Sequence, residues 1–262
     1  MKKHLKIAGC YFRLNLASSL EYRASFFTQA FGMALSNSSF IFFWWIAFGQ
    51  VGGSIAGYSF EDVLFIWAVA SSAFGLQGIL FENTKRLTNL IVTGELDTLL
   101  LQPCSILINL LCGRTSLGNY GDFIYGFVIM IIFHTGNLTL WLWFFTGMIV
   151  GAILFTAISL SAHTLSFYFG DATIIANMMT ELAICFSVYP SRIYGPFVRF
   201  LMYSLIPIGI AVHLPLQLSE SFSLLTALGA LSVVLIYCFF SGWFFYKGLK
   251  RYESGNIIVT RQ

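Results

Sequence analysis

The chain has 262 residues, of which 58% are apolar, 18% aromatic and 10% charged, and its mean hydropathy is +0.81. A water-soluble globule is excluded: soluble domains carry about 25% charged residues, and 28 Phe with 12 Tyr and 6 Trp are more than one soluble core of this size can hide. The balance of 14 basic against 11 acidic side chains argues against a nucleic-acid footprint, which needs basic residues clustered on one face.

No Asp, Glu, Lys or Arg occurs in 24–60, 63–81, 123–170 or 221–246. About 20 mainly apolar residues cross the hydrocarbon core as a helix, so these gaps are read as membrane spans. Residues 1–23 precede the first. They interleave Leu5, Ile7, Tyr11, Phe12, Leu14, Leu16 and Leu20 with Lys2, Lys3, Lys6, Arg13 and Arg23, which suits an amphipathic helix in the cytoplasmic interface. The alternative is a cytoplasmic extension of span one. Arg13, Asn15, Glu21 and Arg23 interrupt any signal-peptide core, so no cleavage is expected.

Span one covers 24 to about 49 and ends in a Gly-rich turn; span two covers 63–81, fenced by Glu61, Asp62 and Glu82. The mixed segment 82–105 contains Lys85 and Arg86. Within it, Gly94 stops one helix and a second begins at Glu95, with acidic residues in its first turn, an apolar face of Leu96, Leu99 and Leu100, and Pro103 beyond its end. Span three ends near Phe133, because His134-Thr135-Gly136-Asn137 is turn chemistry. Counting back about 20 residues starts it near Arg114 and puts Asp122 inside the membrane, near one helix face with Arg114 as an ion pair or snorkelling group. Span four, 140 to about 160, carries Gly147 and Gly151, a spacing that permits close helix approach.

Span five, 172–189, holds Glu181 near its middle. Two readings stay open: Glu181 faces an aqueous cavity or partner subunit together with Asn177 and Thr180, or it is buried polarity satisfied by a neighbouring helix. Segment 190–220 is apolar but holds Pro190, Pro196, Pro207 and Pro215, so re-entrant half-helices fit it better than a crossing. Span six covers 224–246. With six spans, every basic residue except Arg192 and Arg199 falls on one side, the cytoplasm by the positive-inside rule, and both termini lie there.

The histidines are scattered, the five cysteines are irregularly spaced, and neither forms a zinc or disulfide pattern. No catalytic or metal-binding residue is assigned. No Gly-x-x-x-x-Gly-Lys-Ser/Thr loop exists in the chain, so any nucleotide energy must come from another subunit.

The stretch Gly94-Glu95-Leu96-Asp97-Thr98-Leu99-Leu100-Leu101-Gln102-Pro103 resembles the Gly-x-Leu-Asp-x-Leu-Leu-x-x-Pro stretch of bacterial type-two ATP-binding cassette permeases. Tyr189-Pro190-Ser191-Arg192-Ile193-Tyr194, followed by Arg199, Ile206-Pro207 and Leu214-Pro215, is similar to that family's second signature. The resemblance implies an all-α integral membrane protein, a single permease domain over 1–262 in the bacterial cytoplasmic membrane. It implies a coupling helix on Gly94, Glu95, Leu96, Asp97, Gln102 and Pro103, and an extracytoplasmic cap on Tyr189, Pro190, Arg192, Tyr194, Arg199, Pro207 and Pro215. Implied partners are two ATP-binding cassette subunits, which would hold ATP and Mg, and a second permease chain. Asp122, Asn177 and Glu181 are candidate pathway or interface residues. The Phe-rich walls favour an amphipathic, peptide-like or lipid-like cargo. A secondary transporter should show interrupted helices in both halves, and only the second half is proline-broken; a structural membrane subunit is the other alternative.

Overall fold

The computed structural model describes residues 2–253, with side chains from residue 6 onward. Arg261 and the side chains of Lys2, Lys3 and His4 lie outside the described residues, so their share in the charge asymmetry is a sequence argument alone. The described chain is helical, with one isolated antiparallel bridge between Ile55 and Tyr58.

Helix α1 (Lys2–Glu21) is separated from α2 (Arg23–Val51) by Tyr22, whose φ of −100° and ψ of 60° break the helical run. Asn15 Nδ2 donates to the Cys112 carbonyl at 3.0 Å, which fastens α1 to the body of the protein. Helix α3 (Phe60–Phe81) starts on a reciprocal cap: Ser59 Oγ accepts from the Asp62 amide and the Asp62 carboxylate accepts from the Ser59 amide. The acidic fence seen in the sequence is therefore also a helix start.

A 3-10 turn (Glu82–Arg86) leads into three short helices, α4 (Leu87–Val92), α5 (Leu96–Leu100) and α6 (Ile106–Cys112). Then come α7 (Asn119–Phe133), α8 (Leu138–Thr164), α9 (Ser166–Phe169) and α10 (Thr173–Val188). A second 3-10 turn (Ser191–Ile193) precedes α11 (Pro196–Tyr203), α12 (Ile208–Val212) and α13 (Leu214–Glu220), and α14 (Leu224–Leu249) closes the chain.

Helix α3 is the hub. In its most apolar stretch 83% of residues are buried, against 17% in α2 and 11% in α14. Hydrophobicity cannot drive helices together in lipid, so small residues and hydrogen bonds do. A Cβ on Gly75 would collide with the Phe123 backbone, and one on Gly126 with the Ala68 carbonyl and the Ser72 hydroxyl. That close approach lets Ser72 Oγ donate to the Phe123 carbonyl at 3.2 Å and Asn119 Nδ2 to the Phe74 carbonyl at 3.1 Å. Gly147 and Gly151 of α8 serve the same end inside the chain, against Ala211 and Ala73 respectively.

Among the described residues, four helices are long and apolar enough to cross a membrane: Arg23–Val51, Phe60–Val92, Leu138–Phe169 and Leu224–Leu249. Two shorter apolar helices, α7 and α10, accompany them. The pair formed by α11 and Ile208–Glu220 is bent by 81°, with Pro207 at the bend.

Span three departs from the expectation. Arg114 is not on α7, which begins at Asn119, and it shares no helix face with Asp122. The chain between α6 and α7 is pinned to the end of α3 by the Ser116 amide, which donates to the Gly78 carbonyl at 3.0 Å, while Asn83 Nδ2 holds the Leu110 carbonyl at 2.8 Å. Those bonds divert the backbone that a continuous helix would have used.

Candidate functional site

The predicted short helix exists as α5. Gly94 ends the preceding turn at φ 76°, a left-handed value that glycine adopts without strain, and α5 follows. Leu96 is fully buried in a small apolar cluster with Leu87, Leu90, Ile91, Leu110, Leu160 and Phe245. Leu100 and Leu101 point the other way, 46% and 86% exposed.

Polar contacts hold this knob in place. Glu95 meets Arg86 Nη2 at 3.7 Å, and Gln102 Oε1 accepts from Asn109 Nδ2 at 2.8 Å. Pro103 sits in the turn that leads to α6. The Tyr252 hydroxyl faces Asp97; burial and that carboxylate together push the hydroxyl up to about 12. Tyr252 also packs edge-on against Phe167 at 6.1 Å, so the end of α14 clamps α5.

Beneath the segment lies a buried polar knot that the sequence reading missed. Thr88 Oγ1 lies 2.9 Å from His163 Nδ1 and 2.7 Å from Ser166 Oγ, joining α4 to α8 and α9. These residues resemble a hydrolase constellation in type only. All three are at most 3% exposed, so no substrate reaches them, and the knot is a joint. Its signal was present: His163 and Ser166 are polar groups in a charge-free apolar stretch, where polarity needs a reason.

At the opposite end of α3, the proline-rich residues converge with the turn before that helix. The Tyr58 hydroxyl lies 3.0 Å from Ser191 Oγ, and Arg192 stacks over the Tyr58 ring at 5.0 Å while donating to the Gly57 carbonyl at 3.4 Å. Tyr189 packs on Phe40 and Trp44 of α2. Pro190 is buried and Tyr194 Oη donates to the Cys185 carbonyl at 3.1 Å. Pro215 opens α13, where it meets Gly147, and Arg199 is half-buried beside Tyr203. His213, 1% exposed, reaches the Phe186 carbonyl at 2.8 Å through Nε2.

The three intramembrane candidates do not come together. Asp122 is 3% exposed and its Oδ1 accepts from Asn37 Nδ2 of α2 at 2.7 Å; Asn37, not Arg114, is its partner. Glu181 and Asn177 lie on the exposed face of α10, while Ala176, Ala183 and Phe186 occupy the buried one. Burial of Glu181 against a neighbouring helix of this chain is thereby excluded. Among the described residues there is no group of three His, Cys, Asp or Glu able to hold a metal ion.

The model of the ABC-2 family transporter protein matches residues 35–255. The chain belongs to that family. No curated protein matches it. As an ABC-2 family member it is a multi-pass membrane protein, the permease component of an ABC transporter, and it works with ATP-binding cassette subunits. The match spans the α4–α5 segment, the proline-rich segment, three of the long helices in full and α2 from residue 35 onward.

Proposed function

We propose that the chain is the membrane half-channel of an ATP-driven exporter, with six crossings and both termini in the cytoplasm. Two ATP-binding cassette subunits, carrying ATP and Mg, dock beneath it, and a second, related permease chain completes the pathway. The observation that carries the reading is the rigidly held α5 with Leu100 and Leu101 projecting from it. An apolar knob kept solvent-exposed by ion pairing, a tyrosine clamp and a buried joint is suited to a cleft in a soluble partner. On this reading the residues from Gly94 to Pro103 transmit nucleotide-driven motion through the Thr88 knot into α8.

Crossings by α7 and α10 need their flanks. Fifteen residues of α7 span about 22 Å at 1.5 Å per residue, short of the roughly 30 Å hydrocarbon core. The partly buried 115–118, where the Ser116 amide bonds the Gly78 carbonyl, and Tyr189-Pro190 extend the two crossings. The bent segment with Tyr189, Pro190, Arg192, Tyr194, Arg199, Pro207 and Pro215 caps the pathway outside. The exposed Glu181 and Asn177 face the second chain or the passage between the two. The cargo is amphipathic, peptide-like or lipid-like.

The test is co-reconstitution of the full chain with its ATPase and permease partners in liposomes. Wild type should stimulate ATP hydrolysis and move cargo. Because Asp97 also anchors Tyr252, Asp97→Ala disturbs both anchorage and docking, and Leu101→Asp isolates docking. Undiminished coupling in Leu101→Asp sinks the assignment.

A further inference from the structure

The Asp122 carboxylate has one partner for two oxygens. Oδ1 accepts from Asn37, whereas Oδ2 is buried and has no hydrogen-bond partner. A buried carboxylate oxygen left unsatisfied is costly, and more so at membrane depth. The cation it senses, Lys85, lies 2.8 Å from Glu82 and sits over the Phe74 ring at 4.8 Å, so its charge is already matched.

Asp122 lines a cavity of about 170 Å³ formed between α2, α3, α7, α8 and α10. The aromatic walls are Trp67, Phe74 and Phe155, and Trp67 Nε1 is also buried without a partner. The other polar wall groups are committed elsewhere: Ser71 Oγ donates to the Ala68 carbonyl at 3.3 Å and Ser187 Oγ to the Ile184 carbonyl at 2.7 Å. The rest of the lining is apolar.

We infer that this cavity binds the cationic head of an alkylammonium, the charged end of the cargo. Resting on the exporter reading above, this narrows the cargo class to hydrophobic amines. The ammonium donates to Asp122 Oδ2 and to Asn37 Oδ1, which is left free when Asn37 Nδ2 serves Asp122. Aromatic faces attract such a cation, and the apolar lining receives its hydrocarbon arm. A metal ion fits less well, because hard cations want six or more oxygens and the lining side chains of Asp122, Asn37, Ser71 and Ser187 supply five. An amine supplies its own apolar contact where a metal ion would need water.

The experiment uses tritiated hexylamine and the full chain in nanodiscs, with protein-free nanodiscs subtracted. Unlabelled hexylammonium should displace the counts at a concentration at least tenfold lower than hexan-1-ol, which has the same chain and no charge. Asp122→Asn, which keeps the shape, should weaken hexylamine binding tenfold or more; Glu220→Gln, at the exposed end of α13, should bind as wild type. Equal potency of amine and alcohol would overturn the inference, as would the absence of saturable binding, which would assign the orphan oxygen to water. Displacement by sodium chloride as effective as by hexylammonium would overturn it in favour of a metal-ion site. The wild-type comparison needs no variant, so it decides the matter even if Asp122→Asn fails to fold. ATPase stimulation, measured after the ATP-binding and permease partners are added to the same preparation, separates the two readings: stimulation without amine binding overturns this inference alone, and amine binding without stimulation overturns the exporter reading alone.

Discussion

The two ends of α3 carry short broken helices of similar size, yet they are built in different ways. The segment from Pro190 to Glu220 is part of the main core: Met202, Ile208, Ala211 and Val212 are fully buried among side chains of α3 and α8. The segment from Glu82 to Cys112 packs in a second, smaller apolar cluster, where Leu87, Leu96 and Leu110 meet Leu160 of α8 and Phe245 of α14 beside the polar contact of Thr88 with His163 and Ser166. Core interiors are close-packed and transmit strain, so the outer segment moves only with the whole bundle. The inner one can tilt as a unit about a polar joint, which is what a part driven by an external ATPase requires.

The largest effect is expected at the inner knob. Leu101→Asp places a charge on a side chain 86% exposed, so folding should be untouched while stimulated ATP hydrolysis falls at least tenfold. Retained coupling would remove the functional half of the contrast. Next is a matched pair of truncations, Met202→Ala outside and Leu96→Ala inside, both at fully buried positions. Such deletions cost about 2–5 kcal/mol. For Met202 the loss should appear as a lower melting temperature of the whole protein. For Leu96 it should appear as faster hydrogen exchange confined to residues 87–110, with little change in global melting. Identical global melting losses would show that the two segments are built alike.

A smaller effect is expected at the joint. Thr88→Val keeps the volume and removes the hydroxyl shared by His163 and Ser166, a loss of about 1–3 kcal/mol where the partners stay buried. Less cargo should move per ATP hydrolysed while hydrolysis itself stays stimulated. An unchanged ratio of transport to hydrolysis would mean that motion reaches α8 by another route.

Much of this layout was legible in the sequence because charge is so scarce. Glu61-Asp62 and Glu82 bracket α3 to within a residue or two, and Gly94 and Pro103 bracket α5, because capping and turn chemistry are local. The helix of span three is shorter than expected because counting about 20 residues back from Phe133 assumes a helix as long as the membrane is thick. The bond from Ser116 to Gly78, which holds the chain out of helix ahead of α7, is a tertiary fact. The facing of Glu181 was equally hidden: a helix with Ala176 and Ala183 on one side and Asn177 and Glu181 on the other declares two faces, and only the packing of α10 says which is inside. The contact between Asp97 and Tyr252 joins residues far apart in sequence, beyond any local pattern.

The smallest effect uses pH to separate the two ends. His134, at the outer end of α7, is buried edge-on to Phe65, and burial holds its imidazole below the ordinary 6.5 against the raising influence of Glu61 and Asp62. A histidine depressed in the folded state binds fewer protons than the unfolded chain, so stability is full above about pH 6.5 and declines as pH falls from there to the lowered folded value. At the inner end of α10, Asp171 is held below its ordinary 3.8 by bonds from the Thr173 hydroxyl and amide; its contribution is present above 3.8 and is lost only on further acidification. Between pH 6.5 and 5, melting should therefore fall slightly, with hydrogen exchange rising at 130–137 and not at 171–176. His134→Asn should flatten that dependence, and a variant that kept the full acid response would place the sensitivity elsewhere.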